Sequence, residues 1–274
     1  MTVPGIYDDP VVYDVLATPG TAAELDLLER LYHRFAPRPA GRRRPAWLEP
    51  ACGTGRLLRG AARRGYRVTG IDRSPALAAY ARRRLRRAGL ARRARVLIGD
   101  MADVSGILPP ASVDFAFIPD NSLRHLPDDA SLDRHLAGMA RVLRPGGVYV
   151  VGISLHHPGL DGPDEDVWTA RRGRLRVTQL VQYLPPEPRG PRRRRERVIS
   201  HLVIERPRGV EHRDDVYDLR SYTERQWRAA VGRSPLRRVA GLDRWGRDRS
   251  GRVLPYQLEI LAAPPAVPQE ENRP

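Results

Sequence analysis

Ala46-Trp47-Leu48-Glu49-Pro50-Ala51-Cys52-Gly53-Thr54-Gly55-Arg56 reads as a short buried strand, Ala46 to Ala51, that runs into a glycine turn. A helix follows through Leu57, Leu58, Ala61 and Ala62. Strand, glycine turn and helix together open a βαβ unit. The turn is not a dinucleotide fingerprint. In G-x-G-x-x-G the glycines would fall at 51, 53 and 56 or at 53, 55 and 58, and the chain offers Ala51, Gly53 and Arg56 or Gly53, Gly55 and Leu58. The third glycine lets helix and strand pack closely while a pyrophosphate sits at the helix N-terminus, and here that place is bulky. Glu49, just before the turn, would repel a phosphate and attract an amine or a sulfonium.

Moving outward, Tyr66 to Asp72 is the next strand, and Ser74-Pro75 supplies an N-cap and an N1 proline for a helix. Leu77, Ala81, Leu85 and Ala88 form its inner stripe, with Arg82, Arg83, Arg84, Arg86 and Arg87 on its other sides. Strands Ala94 to Gly99, Val113 to Ile118 and Val148 to Ile153 follow, with a helix carrying Leu132, Leu136, Met139, Ala140 and Leu143 before the last. Alternation of short strands and amphipathic helices predicts a mostly parallel sheet with helices on both faces. The first three strands each end in a carboxylate, Glu49, Asp72 and Asp100. Open α/β sheets bind ligands at that edge, and a carboxylate placed as Asp72 is can accept both hydroxyls of a ribose.

On the N-terminal side, Leu25, Leu28, Leu31, Tyr32 and Phe35 recur at helical spacing from Ala22 to Phe35, and Pro37 to Pro45 is a linker. Beyond Leu155 the pattern changes. Leu175 to Tyr183 and Val198 to Glu205 alternate like an antiparallel ribbon, joined by a flexible basic loop, P-P-E-P-R-G-P-R-R-R-R-E-R. A helix near Glu224 to Val231 and strands Leu236 to Leu242 and Pro255 to Leu261 return to the main sheet. The expected organisation is a helical lid (1–45), a ligand-binding core (46–155), an inserted antiparallel β cap (156–215), a segment completing the core (216–263) and a disordered tail (264–274). No internal repeat is present.

Of the 274 residues, 48 are basic and 32 acidic, a net charge of +16, yet there is no Lys. Arg without Lys, among many Ala, Gly and Pro, reads as the composition of a high-GC bacterium more than as a polyanion-binding surface. The missing Lys excludes P-loop enzymes, protein kinases and pyridoxal-phosphate enzymes, each of which needs one. The single cysteine, Cys52, excludes Cys-ligated zinc ribbons, four-cysteine iron–sulfur clusters and internal disulfides, and suits a reducing cytoplasm. No apolar run is long enough to span a bilayer, and the first residues lack the features of a secretion signal, so a soluble, cytoplasmic chain is expected.

From about Tyr7 to Ile153 the chain resembles the class I S-adenosylmethionine-dependent methyltransferases. The motifs are L-E-P-A-C-G-T-G-R, G-Y-R-V-T-G-I-D-R-S, G-D-M, D-N-S-L-R-H-L and L-R-P-G-G-V-Y-V-V. The resemblance implies a Rossmann-like three-layer α/β/α fold, with a mostly parallel seven-stranded sheet whose last strand is antiparallel, plus the inserted cap. It also implies S-adenosylmethionine as cofactor. Glu49, Ala51, Gly53 and Gly55 would then hold the methionine part, Asp72 the ribose, and Asp100 with Met101 the adenine. Arg73 would lie beside the adenine, Arg56 would reach the cofactor carboxylate, and Tyr13 would belong to a lid over the cofactor. Pro119 to Leu126, P-D-N-S-L-R-H-L, is similar to a segment of glycine and sarcosine N-methyltransferase-like proteins, with Asp120 where those carry a glycine. That likeness puts Pro119 and Asn121 at the cofactor and faces Ser122, Arg124 and His125 toward the acceptor.

Methyl transfer from a sulfonium is an in-line displacement in which the protein aligns the nucleophile and excludes water. A base is optional, and His125 and His156, near predicted strand ends, are the candidates. Arg124 and Arg220 could hold a substrate carboxylate in bidentate fashion. His156-His157-Pro158 lies beside a flexible-looking acidic run, D-G-P-D-E-D, and no metal site is expected. The expected acceptor is a small molecule methylated on N or O, by a monomer or homodimer with no membrane partner. The alternatives are an RNA or protein methyltransferase using the Arg-rich surface, or a non-catalytic protein that keeps the cofactor fold. The basic loop lacks the interleaved aromatics that stack bases, which counts against nucleic acid.

Overall fold

Capping chemistry starts the helices. Asp9 accepts hydrogen bonds from the Val11 and Val12 amides at 3.1 and 3.2 Å, and Pro10 opens α1 (Pro10–Ala17). In the computed structural model, which describes residues 5–38, 41, 43–249 and 251–265, α2 (Thr21–Phe35) follows and buries Leu25, Leu28, Leu31 and Tyr32. Strand β1 (Ala46–Pro50) leads through the glycine turn to α3 (Arg56–Arg63), and β2 (Arg67–Asp72) leads to α4 (Pro75–Arg87), capped by Ser74 on the Leu77 amide. Then come β3 (Ala94–Ile98), the short α5 (Val104–Ile107), β4 (Val113–Ile118), α6 (Asp129–Val142) and β5 (Leu143–Ile153).

The main sheet has seven strands in the order β10-β11-β5-β4-β1-β2-β3, and its last two members are β10 (Arg237–Leu242) and β11 (Gln257–Ala262). Strands β1 to β5 pair in parallel, while β11 runs antiparallel to both β5 and β10. One face buries Leu132, Leu136 and Met139 of α6 with Trp227 of α7 (Glu224–Arg233); the other buries the stripes of α2, α3 and α4. This is the three-layer fold expected, and it brings the ends of β1, β2 and β4 to one edge.

The cap is a four-stranded antiparallel meander of β6 (Asp164–Arg172), β7 (Leu175–Leu184), β8 (Arg195–Arg206) and β9 (Gly209–Arg220). Two of its strands are missing from the sequence reading. Asp164-Glu165-Asp166, read as a flexible run, is the start of β6, and β9 continues past the boundary expected at 215 as far as Arg220. Charged residues dominate both segments, so their pairing with β7 and β8 supplies the order that composition hides. The basic loop is a turn tied inward: Arg192 pairs with Glu187, and Arg194 grips Asp129 of α6 at 2.5 and 2.9 Å. The cap rests on the N-terminal segment, where Ile6, Val12, Val15 and Leu16 pack against Ala170, Val177, Leu202 and Ile204. Residues 1–4, and the tail beyond 265, lie outside the described residues. Among the described residues no helix is long and apolar enough to cross a membrane.

Candidate active site

The strand ends, the N-terminal helices and the cap enclose a cavity of about 1520 Å³. Single-ligand pockets run to roughly 300–1,000 Å³, so this one has room for more than one small molecule. On the core side its wall includes Ala51, Cys52, Gly53, Thr54 and Arg56 of the glycine turn, whereas Gly55, expected at the cofactor, sits behind the wall and faces Ala81 and Leu58. Gly53 and Gly55 have φ of 53° and 71°, left-handed values that glycine adopts freely, and a Cβ on Gly53 would meet the Tyr13 ring at 2.8 Å. Tyr13 therefore packs directly over the turn.

Asp72 braces the same turn. Its two oxygens accept the Gly53 amide at 2.7 Å and the Ser74 amide at 2.9 Å. Burial raises its pKa, and those two amides oppose the rise. Asp100 accepts the Ala102 amide at 2.8 Å and caps a helical turn, Met101–Asp103. The Met101 carbonyl lies 2.7 Å from His135 Nδ1, and a carbonyl only accepts. His135 Nδ1 therefore carries the proton and Nε2, 2.8 Å from the Tyr149 hydroxyl, accepts it. Burial pushes His135 down to about 4, which keeps this buried latch neutral.

Glu49 is the decisive residue. It is 4% exposed, lines the cavity, and its Oε2 has no hydrogen-bond partner. Burial pushes its carboxyl well above the usual range, with Arg56 pulling the other way. A buried carboxyl oxygen without a partner, on a side chain that lines a cavity, calls for a donor. Residues 48–147 match the family described as a methyltransferase domain. Over that stretch the chain is similar to methyltransferase domains.

No curated protein matches the chain by sequence. Among solved structures, it is similar to an S-adenosylmethionine-dependent methyltransferase from Clostridium acetobutylicum ATCC 824, with 15% identity, 93% of this chain and 97% of that one covered, and a TM-score of 0.72. It is also similar to CalS10, an amino pentose methyltransferase from Micromonospora echinaspora, at 20% identity, 96% and 98% coverage and a TM-score of 0.68. The sugar N-methyltransferase KedS8 from Streptoalloteichus sp ATCC 53650 gives 23% identity, 96% and 95% coverage and a TM-score of 0.68. These likenesses carry the whole fold, cap included.

The wall fits S-adenosylmethionine, the cofactor the resemblance implies: an unpartnered acid for its cationic end and the Asp72 carboxylate for its hydroxyls. Ala51, Gly53, Arg73, Met101, Pro119, Asn121 and Ser122 also line the cavity. Two expected cofactor contacts are already engaged inside the protein. Arg56 is held between Glu24 and Asp120, and the Asn121 amide closes on Ser154, donating to its hydroxyl at 3.0 Å and accepting its backbone amide at 2.6 Å.

The expected acceptor contacts change more. Arg124 lines the cavity but is 3% exposed, with its guanidinium bonded to Glu196 at 2.7 Å and to the Arg220 carbonyl at 2.9 Å. Arg220 stands apart from the cavity wall and pairs with Asp129 at 3.1 Å. Both straps join cap to core, so neither is free for a substrate carboxylate. His156 also stands behind the wall; its Nδ1 lies 2.7 Å from Asp161, and it is Asp161 that faces the cavity. His125 does line it, stacked on Tyr217 with ring centroids 5.7 Å apart and with Nε2 3.3 Å from the Tyr7 hydroxyl. Burial, then the charges of Arg73 and Arg124, push His125 down to about 4, so it is neutral at physiological pH.

Sequence reasoning missed Tyr7, Trp168, Tyr183 and Tyr217, which line the cap side. The usable signal was period two: Asp164, Tyr183, Val198 and Tyr217 form one cross-strand row, so the inner face could be traced once four strands were counted.

Proposed function

We propose that the protein transfers a methyl group to an amine on a small, polar, ring-shaped acceptor of the amino-sugar class, in the cytoplasm. The observation that carries this reading is the cap-side wall, where Tyr7, Trp168, Tyr183 and Tyr217 stand with Asp161, Asp164 and Asp166. Flat aromatic faces suit the apolar C–H face of a sugar ring, and carboxylates attract a protonated amine. The names of two similar structures, an amino pentose methyltransferase and a sugar N-methyltransferase, support the same class. An amino acid of the glycine or sarcosine kind would bring its carboxylate among these acids, while the two Arg residues that could have held it are engaged with Glu196 and Asp129.

The cofactor, when bound, supplies an electrophilic methyl on a sulfonium. The chain itself must capture the amine, strip its proton and keep water out. Asp164 and Asp166 draw the cation in; Tyr13, whose hydroxyl burial holds neutral, closes the N-terminal side. A neutral His125 orients the acceptor as a hydrogen-bond partner but holds a proton weakly. Asp161, held by His156 at 2.7 Å, faces the cavity as a second group that can accept the amine's proton.

The test is a set of sugars that differ only in an amine or a hydroxyl at one carbon, assayed with the wild type and with the double variant Asp164→Asn/Asp166→Asn. Methylation of the amine member alone is expected, with KM raised about 5- to 10-fold in the variant and kcat less affected. Transfer to the hydroxyl member, or to RNA in place of any sugar, would sink the reading.

A further inference from the structure

Arg56 is the one cation of the glycine turn, and it faces the end of the cavity where Glu49 lies. Its side chain is only 12% exposed, yet it is held by two carboxylates from separate elements. One Nη donates to Glu24 of α2, whose side chain is 23% exposed. The other donates to Asp120 at 2.8 Å, and the Asp120 side chain is 67% exposed. The inner pair is shielded from water and strong; the outer pair stands in solvent and is weak.

Asp120 reaches Arg56 at a conformational cost. Its φ is 54° and that of Asn121 is 62°, so two consecutive non-glycine residues sit in the left-handed region after β4. The resemblance places glycine at position 120, where this backbone would be free of strain. In this chain a strained aspartate stands there, and the contact its carboxylate makes is with Arg56.

We infer that Asp120 is an internal competitor: its carboxylate occupies the guanidinium edge that the carboxylate of the cofactor's amino-acid end takes on binding, so Asp120 lowers affinity for cofactor and product alike. This rests on the cofactor assignment. One carboxylate replaces another on a planar, bidentate donor, and the exposed Asp120 side chain swings into water when displaced. Glu24 stays in place and keeps Arg56 turned toward the cavity. Because product carries the same amino-acid end as cofactor, the arrangement speeds release of product.

Titration calorimetry tests this with two ligands: S-adenosylhomocysteine, and 5′-methylthioadenosine, which shares the nucleoside but lacks the amino-acid end. Asp120→Asn removes the charge and keeps a residue that tolerates the left-handed region; Asp120→Gly removes the strain as well. Both variants should bind S-adenosylhomocysteine about two- to five-fold more tightly than wild type and bind 5′-methylthioadenosine unchanged, the ratio expected for loss of one exposed ion pair. Unchanged or weaker binding of S-adenosylhomocysteine would overturn the inference, and so would an equal shift for both ligands. If the wild type bound neither ligand, the cofactor assignment would fall first, a result distinguishable from all of these.

Discussion

Two buried carboxylates on paired strands, Glu49 of β1 and Asp114 of β4, live in opposite circumstances. Asp114 lies at the start of its strand, 5% exposed, with every need met. Its oxygens accept both ends of the Arg43 guanidinium at 2.7 Å and the Ala46 amide at 2.7 Å, and Arg144 stands 3.1 Å away. Burial alone would raise its pKa, but the Arg43 bonds, the amide and Arg144 outweigh burial and hold it below the usual range. Glu49, at the other end of the neighbouring strand, is as buried, keeps one oxygen unpartnered, and is pushed the other way. The first arrangement stabilises the fold; the second leaves an oxygen unpartnered within the protein, which is why we propose it for ligand binding.

The largest expected effect is on Glu49→Gln. Removing one partner of a buried charge pair typically costs several kcal/mol, so S-adenosylhomocysteine should bind about 100-fold more weakly by calorimetry. The free protein should respond in the opposite sense. A carboxyl whose folded pKa is raised contributes its stability at low pH and loses it as pH rises through that folded value. Wild type therefore weakens above the ordinary carboxylate pKa of 4.5, and Gln, which does not ionise, escapes this loss. Thermal unfolding followed from acid to pH 8 should show the variant equal to wild type in acid and more stable by about 0.5–2 kcal/mol at the alkaline end. A variant less stable throughout would mean that Glu49 is a structural residue like Asp114.

Asp114→Ala should behave as the mirror image. It leaves the Ala46 amide without its acceptor and two half-exposed guanidinium groups without theirs, for a loss of about 2–3 kcal/mol in urea unfolding. Because its pKa is depressed, the wild-type advantage is full above the ordinary value of 3.8 and fades as pH falls through the lower folded value. Affinity for S-adenosylhomocysteine should stay within two-fold of wild type. A large drop in affinity would show that the two ends of the sheet are coupled.

The contrast also explains what the sequence could disclose. The sheet edge with Glu49, Asp72 and Asp100 was legible because each acid stands at or just past a strand end and Gly53 and Gly55 mark the turn, all local signals. Asp114 was silent, since Arg43 and Arg144, its partners, are 71 and 30 residues away in the chain (114 − 43 and 144 − 114) and meet it only through sheet assembly. The same holds for the cap. Asp164-Glu165-Asp166 has no strand propensity of its own and acquires its conformation from β7, so charge was read as looseness. Arg124 and Arg220 were visible as cations, but their carboxylate partners, Glu196 and Asp129, come from other elements, and so their role as straps was hidden.

Asp72 stands between the two extremes and sharpens the comparison most. It is buried like both, and it is half committed: two backbone amides hold its oxygens, and the carboxylate still lines the cavity. Asp72→Asn keeps one of those acceptors and loses the charge, so the expected stability loss is small, below about 1 kcal/mol. Its effect on binding should be about 10-fold and, unlike that of Glu49→Gln, should fall equally on S-adenosylhomocysteine and 5′-methylthioadenosine, because the hydroxyls it receives belong to the nucleoside both ligands share. Glu49→Gln should weaken only the ligand with the amino-acid end. If Asp72→Asn spared 5′-methylthioadenosine, the carboxylate would be bracing the turn alone, and the ribose would have to find its acceptor elsewhere along the same sheet edge.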